Sequence, residues 1–491
     1  MSFPRYGHAA AAWIALAPLL LALVRQPGIR TRRAFLLGLV AGAVYFGGTV
    51  YWTPAVMQTF GGLSWPLALV VGGLLVAYLA LFPALFAVVV ARLVRALGAR
   101  ALVLAPTVWV ATELARRYVL GGFPWVLLGA SQASVIPIVQ SASVAGVYGL
   151  SALVVLGSAA AVMAAVGRGR DRVVVPACTL ILIGGLAAWG HWRVQEGSRL
   201  RSGDPVRIAL VQGNIRQEEK WSPASAAHIL DTYVRLTMQA ADQGATLVVW
   251  PESATPFLFE HDAGGRAVIT EVVRSRGIHL LFGSDQFEPG TPPRYFNSAF
   301  LLNPAGAIAG VYKKTHLVPF GEYVPLKRLL FFAAPLVGAV SDFSPGEQAV
   351  VMSMGSHTLS TAICYEVVYP DLVADFVQRG SQLLSTITND AWYGYSSAPY
   401  QHFEQAALRA VEQGRYLVRA ANTGISGIVD PYGRVVTASA IFERTVVTGE
   451  VRFLDGRTIY GRTGDAFALA CVLLTLLSVT AAWRRAAPHS R

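Results

Sequence analysis

Long apolar runs crowd the first 195 residues of this chain, give way to a polar block, and return once near the end. They lie at 9–24 (AAAAWIALAPLLLALV), 34–52, 65–91, 101–115, 135–166 and 173–192, with the last at 466–483 (AFALACVLLTLLSVTAAW). Crossing the hydrocarbon core of a bilayer takes about 20 apolar residues in a helix, whose backbone bonds are all made internally. The runs predict a membrane domain over 1–195 with six transmembrane helices, and a C-terminal transmembrane helix over 464–484. The run at 9–24 is short enough for a signal-peptide core. It lacks a basic run before it and a small-x-small cleavage site after it, so it reads as a span.

Composition agrees: 54% of residues are hydrophobic and 14% charged, where a soluble domain carries about a quarter charged. The net charge of +12 comes almost wholly from arginine, with four lysines in the chain. A basic chain can bind nucleic acid, but these arginines cluster between apolar runs and read as topology signals. RQPGIRTRR (25–33), RLVRALGAR (92–100), GRGRDR (167–172) and the tail RRAAPHSR (484–491) are basic, while the connection at 53–64 carries no Lys or Arg. The positive-inside rule then sets the N-terminus outside, the C-terminus inside, and the block from 193 to 463 outside the cytoplasmic membrane. Arg116 and Arg117, beside a span end, fit this pattern poorly.

The outer block changes period. PVRIALVQGNI (205–215), ATLVVWPES (245–253), HLLFGSDQ (279–286), TLSTAICYE (358–366) and QLLSTITND (382–390) read as strands. Helical patterns fall at 225–243, 265–277, 372–379 and 397–414. This alternation predicts an α/β layered domain over 204–455. Three predicted strands end in polar residues, Glu252, Glu366 and Asn389–Asp390, and ligands of α/β sheets collect at such ends. LLFFAAPLVGAV (329–340) is too short to span and reads as either a core helix or an arm in the bilayer surface.

Three cysteines exclude a disulfide framework. Cys178 and Cys471 sit within apolar runs and read as buried structural thiols, so Cys364 alone lies in the polar half. A cysteine nucleophile needs a base or a positive neighbour, and acyl transfer needs donors aimed at the developing oxyanion. The candidate bases are Glu252, Glu322, Glu366, His316, His357 and His402; the positive candidates include Lys313 and Lys314. Spacing alone leaves Cys–His and Cys–Glu–Lys arrangements both open. It also leaves Cys364 open between core filler and nucleophile. No P-loop, CxxC or HExxH is present, and nothing calls for a metal or a cofactor.

Longer motifs decide between these. WPES around Glu252, YKKTHLVPFGE with Lys314, and ICYE with Cys364 occur in the order found in the nitrilase superfamily of carbon–nitrogen hydrolases, which the outer block resembles. With GGFPW (121–125), NDAWYG (389–394) and QHFEQAALRA (401–410), nearly the whole chain resembles a membrane-embedded family of that superfamily, the apolipoprotein N-acyltransferases. The resemblance implies a polytopic α-helical membrane domain with a nitrilase-like α-β-β-α sandwich outside. It implies Glu252 as proton acceptor, Lys314 as oxyanion stabiliser with a backbone N–H after the cysteine, and Cys364 as nucleophile. Glu322, Tyr365, Glu366, Trp221, Asn297 and Trp392 match auxiliary or substrate-binding positions. Each also has an ordinary reading as a brace, a hydrogen-bond acceptor or a packing aromatic. The implied partners are a phospholipid acyl donor, a diacylated apolipoprotein acceptor and the bilayer, with no nucleic acid. The implied place is the bacterial cytoplasmic (inner) membrane, with catalysis on the periplasmic side. The family usually has one more N-terminal spanning helix, so seven spans are expected here instead of eight, or a start truncated relative to the natural protein. The weaker alternatives are a membrane-tethered amidase of the same superfamily and a transporter or lipid-binding scaffold with an inactive hydrolase-like domain.

Overall fold

The computed structural model describes residues 2–319, 321–323 and 343–486, so the apolar run at 329–340 lies outside the described residues. The chain divides into two units, one made of Met1–Thr59, Leu63–Glu196 and Thr463–Arg491, the other of Phe60–Gly62 and Gly197–Arg462.

The first unit is helical. Among the described residues, Trp65–Gly121, Ala142–Val166, Asp171–Leu200 and Ala466–Arg485 are long and apolar enough to cross a membrane; Thr31–Thr49 with Thr53–Thr59, bent by 52°, qualifies as a pair. The expected spans at 65–91 and 101–115 both fall within the first stretch, and the one at 9–24 is two consecutive helices, Ala9–Ala15 and Ala17–Arg25. Lipid gives apolar side chains little reason to leave it, so helices associate where small residues let backbones approach. Gly38 and Gly42, one turn apart on the Thr31–Thr49 helix, meet the Trp65–Leu97 helix in this way. A Cβ on Gly38 would come within 2.4 Å of the Pro83 carbonyl oxygen, and one on Gly42 within 2.7 Å of the Ala80 Cα.

GGFPW follows the Ala105–Tyr118 helix and is folded by buried charge. Gly122 has φ +78° and lies so close to Arg117 that a Cβ would sit 1.8 Å from its carbonyl oxygen. Arg116 Nη1 donates to the carbonyls of Phe123 at 2.9 Å and Trp125 at 2.8 Å. Glu113 Oε1 accepts from the Leu128 N–H at 2.7 Å. Arg116 thus spends its donors inside the fold, which explains why it fits the charge pattern of the connections so poorly.

Among the described residues, the second unit contains two six-stranded sheets. Its strands are β1 (Pro205–Gln212), β2 (Leu247–Val249), β3 (His279–Glu288), β4 (Arg294–Leu302), β5 (Ile308–Lys313), β6 (Met352–Met354), β7 (His357–Ile363), β8 (Leu383–Thr388), β9 (Leu417–Ala421), β10 (Gly427–Val429), β11 (Val435–Ala438) and β12 (Thr445–Arg452). The sheet orders are β12-β1-β2-β3-β4-β5 and β11-β10-β9-β8-β7-β6. Parallel pairs β1–β2, β2–β3, β7–β8 and β8–β9 form the two centres, with antiparallel strands outside. The sheets face each other through β1 with β9 and β4 with β7, and helices pack on the outer faces, giving an α-β-β-α sandwich.

Sequence patterning explains the layers. β8 reads LLSTIT and is buried throughout, as a strand covered on both faces must be. Ala209 and Val211 of β1 join Ile229 and Tyr233 of the Ala226–Asp242 helix in one core. Trp250 stacks on Tyr233 there, ring centroids 5.0 Å apart. The predicted strand at 358–366 is corrected: β7 ends at Ile363, and Cys364–Val368 forms a 3-10 turn. The cause is local. Cys364 has φ +53°, which leaves the extended ladder, and the Glu366 carboxylate folds back to accept the Ile363 N–H at 2.8 Å.

Candidate active site

Chemically able side chains gather where strands of both sheets end. Glu252 follows β2, Lys314 follows β5, Cys364 follows β7, and Asn389 and Asp390 follow β8. Gly283 of β3 permits the close approach of the Glu252 segment, since a Cβ there would lie 2.4 Å from the Ser253 nitrogen and 2.7 Å from the Glu252 Cα.

Glu252 and Lys314 are almost fully buried, at 6% and 1% exposed. Lys314 Nζ lies 3.4 Å from Glu252 Oε1 and donates to Glu322 Oε1 at 2.8 Å. Asn297 of β4 spans the two carboxylates, its Nδ2 donating to Glu252 Oε1 at 2.8 Å and Glu322 Oε1 at 2.9 Å. The other Glu252 oxygen accepts from the Asn389 N–H at 2.9 Å, and the other Glu322 oxygen accepts from the Val318 N–H at 2.8 Å. Burial pushes the Glu252 carboxyl up, but the Lys314 charge, the Asn297 amide, the Lys220 charge and the Asn389 N–H together hold it below the usual range. Burial likewise opposes the charge of Lys314, and the carboxylates of Glu322 and Glu252 outweigh it and hold its pKa above the ordinary value. Both groups are therefore ionised at neutral pH.

Cys364 stands beside this pair on a strained turn. Few non-glycine residues adopt positive φ, and such strain persists only where surrounding contacts hold it. One such contact comes from His402, whose Nε2 lies 3.0 Å from the Cys364 carbonyl oxygen. A carbonyl only accepts, so that nitrogen carries the proton. His402 thus grips the backbone of the cysteine through its carbonyl. Asp390, held near pKa 2 chiefly by Arg419 and His402 against burial, completes this buried group, with Arg419 Nη2 2.8 Å from Asp390 Oδ2. Burial pushes the Cys364 thiol up, Glu252 and Asp390 add to this, and Lys314 opposes it. The resting site is thus a neutral thiol facing an ionised carboxylate and an ammonium. That arrangement allows proton transfer to Glu252 as sulfur attacks.

The remaining candidates separate by position. Glu366 is fully buried; its Oε1 accepts from Tyr312 Oη at 2.7 Å, Thr315 N at 2.7 Å, Thr315 Oγ1 at 2.9 Å and His316 N at 3.1 Å. With the Ile363 N–H on Oε2, it ties the residues after Lys314 to the turn that carries Cys364. Tyr365 is buried edge-on against Tyr369, and Trp392 is edge-on to Phe60 at 4.8 Å. Trp221 is half exposed at 48%. His357 lies at the opposite end of β7 from Cys364, stacked on Phe453. Lys313 pairs with Glu288 at the surface.

Two members of the cluster had no sequence signal. Lys220 is 4% exposed, and its Nζ donates to the Glu252 carbonyl at 2.9 Å. Burial lowers its pKa to about 8, with Glu252, Asp285 and Cys364 pulling the other way. Asp285 of β3 accepts from Ser253 Oγ at 2.9 Å, and burial raises its pKa to about 6. The lysine precedes Trp221 in a loop and belongs to no strand end; only strand order brings it to Glu252. Among the described residues, no group of three or more His, Cys, Asp or Glu side chains could hold a metal ion.

The chain is similar to proteins already known. A family model described as Apolipoprotein N-acyltransferase N-terminal domain matches residues 1–160, and one described as Carbon-nitrogen hydrolase matches residues 207–458. The apolipoprotein N-acyltransferase of Geobacter metallireducens is 41% identical over 100% of this chain and 94% of its own length. That of Methylococcus capsulatus is 34% identical over 94% of this chain and 90% of its own length. Among solved structures, a mutant of the Nesterenkonia AN1 amidase from the nitrilase superfamily is 25% identical, covering 55% of this chain and 97% of its own, with a TM-score of 0.42.

Proposed function

The chain belongs to the apolipoprotein N-acyltransferase family, and we propose from that premise that Glu252, Lys314 and Cys364 carry its acyl transfer by a ping-pong route. The reaction moves an acyl chain from a phospholipid to the α-amine of the N-terminal diacylglyceryl-cysteine of an apolipoprotein.

In the first half, Glu252 takes the Cys364 proton as Sγ attacks the ester carbonyl carbon. The tetrahedral oxyanion is held by Lys314 Nζ and the backbone N–H after the cysteine. Collapse breaks the C–O bond, Glu252 returns its proton to the departing lysophospholipid oxygen, and a thioester remains. In the second half, the acceptor amine attacks the thioester, Glu252 takes the amine proton, and the sulfur leaves as a thiolate that recovers it. An amide is formed and the thiol regenerated. A thioester acylates an amine more readily than an oxygen ester does, so one covalent intermediate divides a hard transfer into two easier ones. Glu322 and Asn297 fix the height of Lys314 over Glu252. Trp221, Trp392 and Tyr365 supply apolar walls to the substrates. The catalytic unit faces the periplasm from the bacterial cytoplasmic membrane.

The observation that carries this reading is the buried Lys314–Glu252 ion pair, 3.4 Å apart, in the field of a thiol on a strained turn. Incubating the full-length protein in detergent with phospholipid alone should add one acyl chain at Cys364, visible by mass spectrometry and released by hydroxylamine. Cys364→Ser should form no hydroxylamine-labile adduct and transfer nothing to a diacylated lipopeptide. If active protein shows no adduct, the ping-pong route is wrong. The amidase alternative requires turnover of small amides without lipid loading, which the same samples would reveal.

A further inference from the structure

We propose that Lys220 is a positioning residue for this transfer: its buried ammonium is the second cation of the site and keeps Glu252 ionised to receive the Cys364 proton. The proposal rests on Cys364 as nucleophile and Glu252 as base. Three carboxylates, Glu252, Glu322 and Asp285, share the interior of the site with Lys314. One ammonium cannot balance them, and surplus negative charge in a buried site favours protonation of a carboxylate and opposes a thiolate. Lys220 supplies a second positive charge from another direction. Its Nζ is anchored 2.9 Å from the carbonyl of Glu252 itself, and that is its one hydrogen bond among the described residues. The ammonium thus has donor capacity to spare.

The neighbours bear this out. From the strand ends, Lys220 faces Glu252, Asp285 and Cys364. Glu252 in turn faces Lys314, Lys220, Asp285, Cys364 and Tyr393. The charged residues on the segment of Lys220, Arg216, Glu218 and Glu219, pair among themselves at 3.8 and 3.9 Å while well exposed, so water screens them from the interior. Losing the Lys220 charge raises the pKa of Glu252 and of Cys364 together, and both changes move the onset of reactivity to higher pH.

The test measures two rates against pH in the full-length protein in detergent: acylation of Cys364 by phospholipid in a single turnover, and its alkylation by iodoacetamide. Lys220→Gln keeps a donor for the Glu252 carbonyl and removes the charge. It should shift the acid limb of both profiles upward by about one pH unit, making acylation on that limb about tenfold slower. Lys220→Arg should stay near the wild-type limb, whereas a merely structural lysine predicts equal effects of Gln and Arg on yield and none on the profile. Should Lys220→Gln fail to accumulate, Lys220→Met removes the charge in its place, and an upward shift of its limb beside an unshifted Lys220→Arg supports the proposal. A Gln variant with the wild-type limb, or an Arg variant shifted as far as Gln, overturns it. Absence of acylation in the wild type would instead remove the acyl-transfer reading, with the alkylation profiles still reporting on Lys220.

Discussion

Glu252 and Glu366 are both buried carboxylates at strand ends, and their surroundings give them different work. Glu366 is saturated by five donors, four on one oxygen and one on the other. It is already spent on holding backbone. Glu252 instead meets Lys314, Asn297 and one backbone N–H, and its charge acts on the Cys364 thiol. Glu366→Gln replaces an acceptor by an amide whose own N–H groups confront donors, so it should cost about 2–4 kcal/mol of stability. Thermal unfolding in detergent should show a clear fall in midpoint for Glu366→Gln and little for Cys364→Ser. Equal midpoints would mean that Glu366 does not tie the two loops. Both carboxylates were legible in the sequence because each ends a strand pattern. Their difference was not, since it lies in Tyr312, Thr315 and Asn389, which arrive from elsewhere in the chain.

Elements show the same division. The strands with near-continuous apolar runs, β1, β2, β3, β7 and β8, were legible, and so were the helices between them. The end of β7 was not, because the ICYE stretch carries no glycine or proline to announce its turn; a carboxylate two residues on makes it. In the helical unit, the small residues Gly38 and Gly42 were read only as part of an apolar run. Their spacing of four is the signal of a close helix contact, and the Trp65–Leu97 helix lies against them. Gly42→Leu should force these helices apart, since the Ala80 backbone occupies the place of the new side chain. Expression with fluorescence-detected size exclusion should show a lower yield of monodisperse protein than for Gly47→Leu, where a Cβ meets nothing within 4 Å. Similar yields from both would remove this contact from the account.

For the whole molecule, hydropathy and charge made the division into a helical and an α/β part plain, and the motifs named several of the side chains that gather at the strand ends. Lys220 and Asp285 escaped because the β1-β2-β3-β4 order, which brings 220, 252, 285 and 297 together, is a long-range property. The alternation of basic connections predicts opposite compartments for residue 200 and the C-terminal tail. Paired alkaline phosphatase and fluorescent-protein fusions at 200 and 488 check this, and activity of one reporter at both sites would refute it. The site also has a seam. Phe343 N–H donates to the Glu322 carbonyl at 3.0 Å, Ser344 N–H to that of Tyr295 at 2.7 Å, and Gly346 N–H to that of Lys314 at 2.7 Å. The chain thus leaves the site at Glu322 and is sewn back to the same place on its return. Because backbone groups alone make these bonds, the seam does not depend on which side chains stand at 343 and 344.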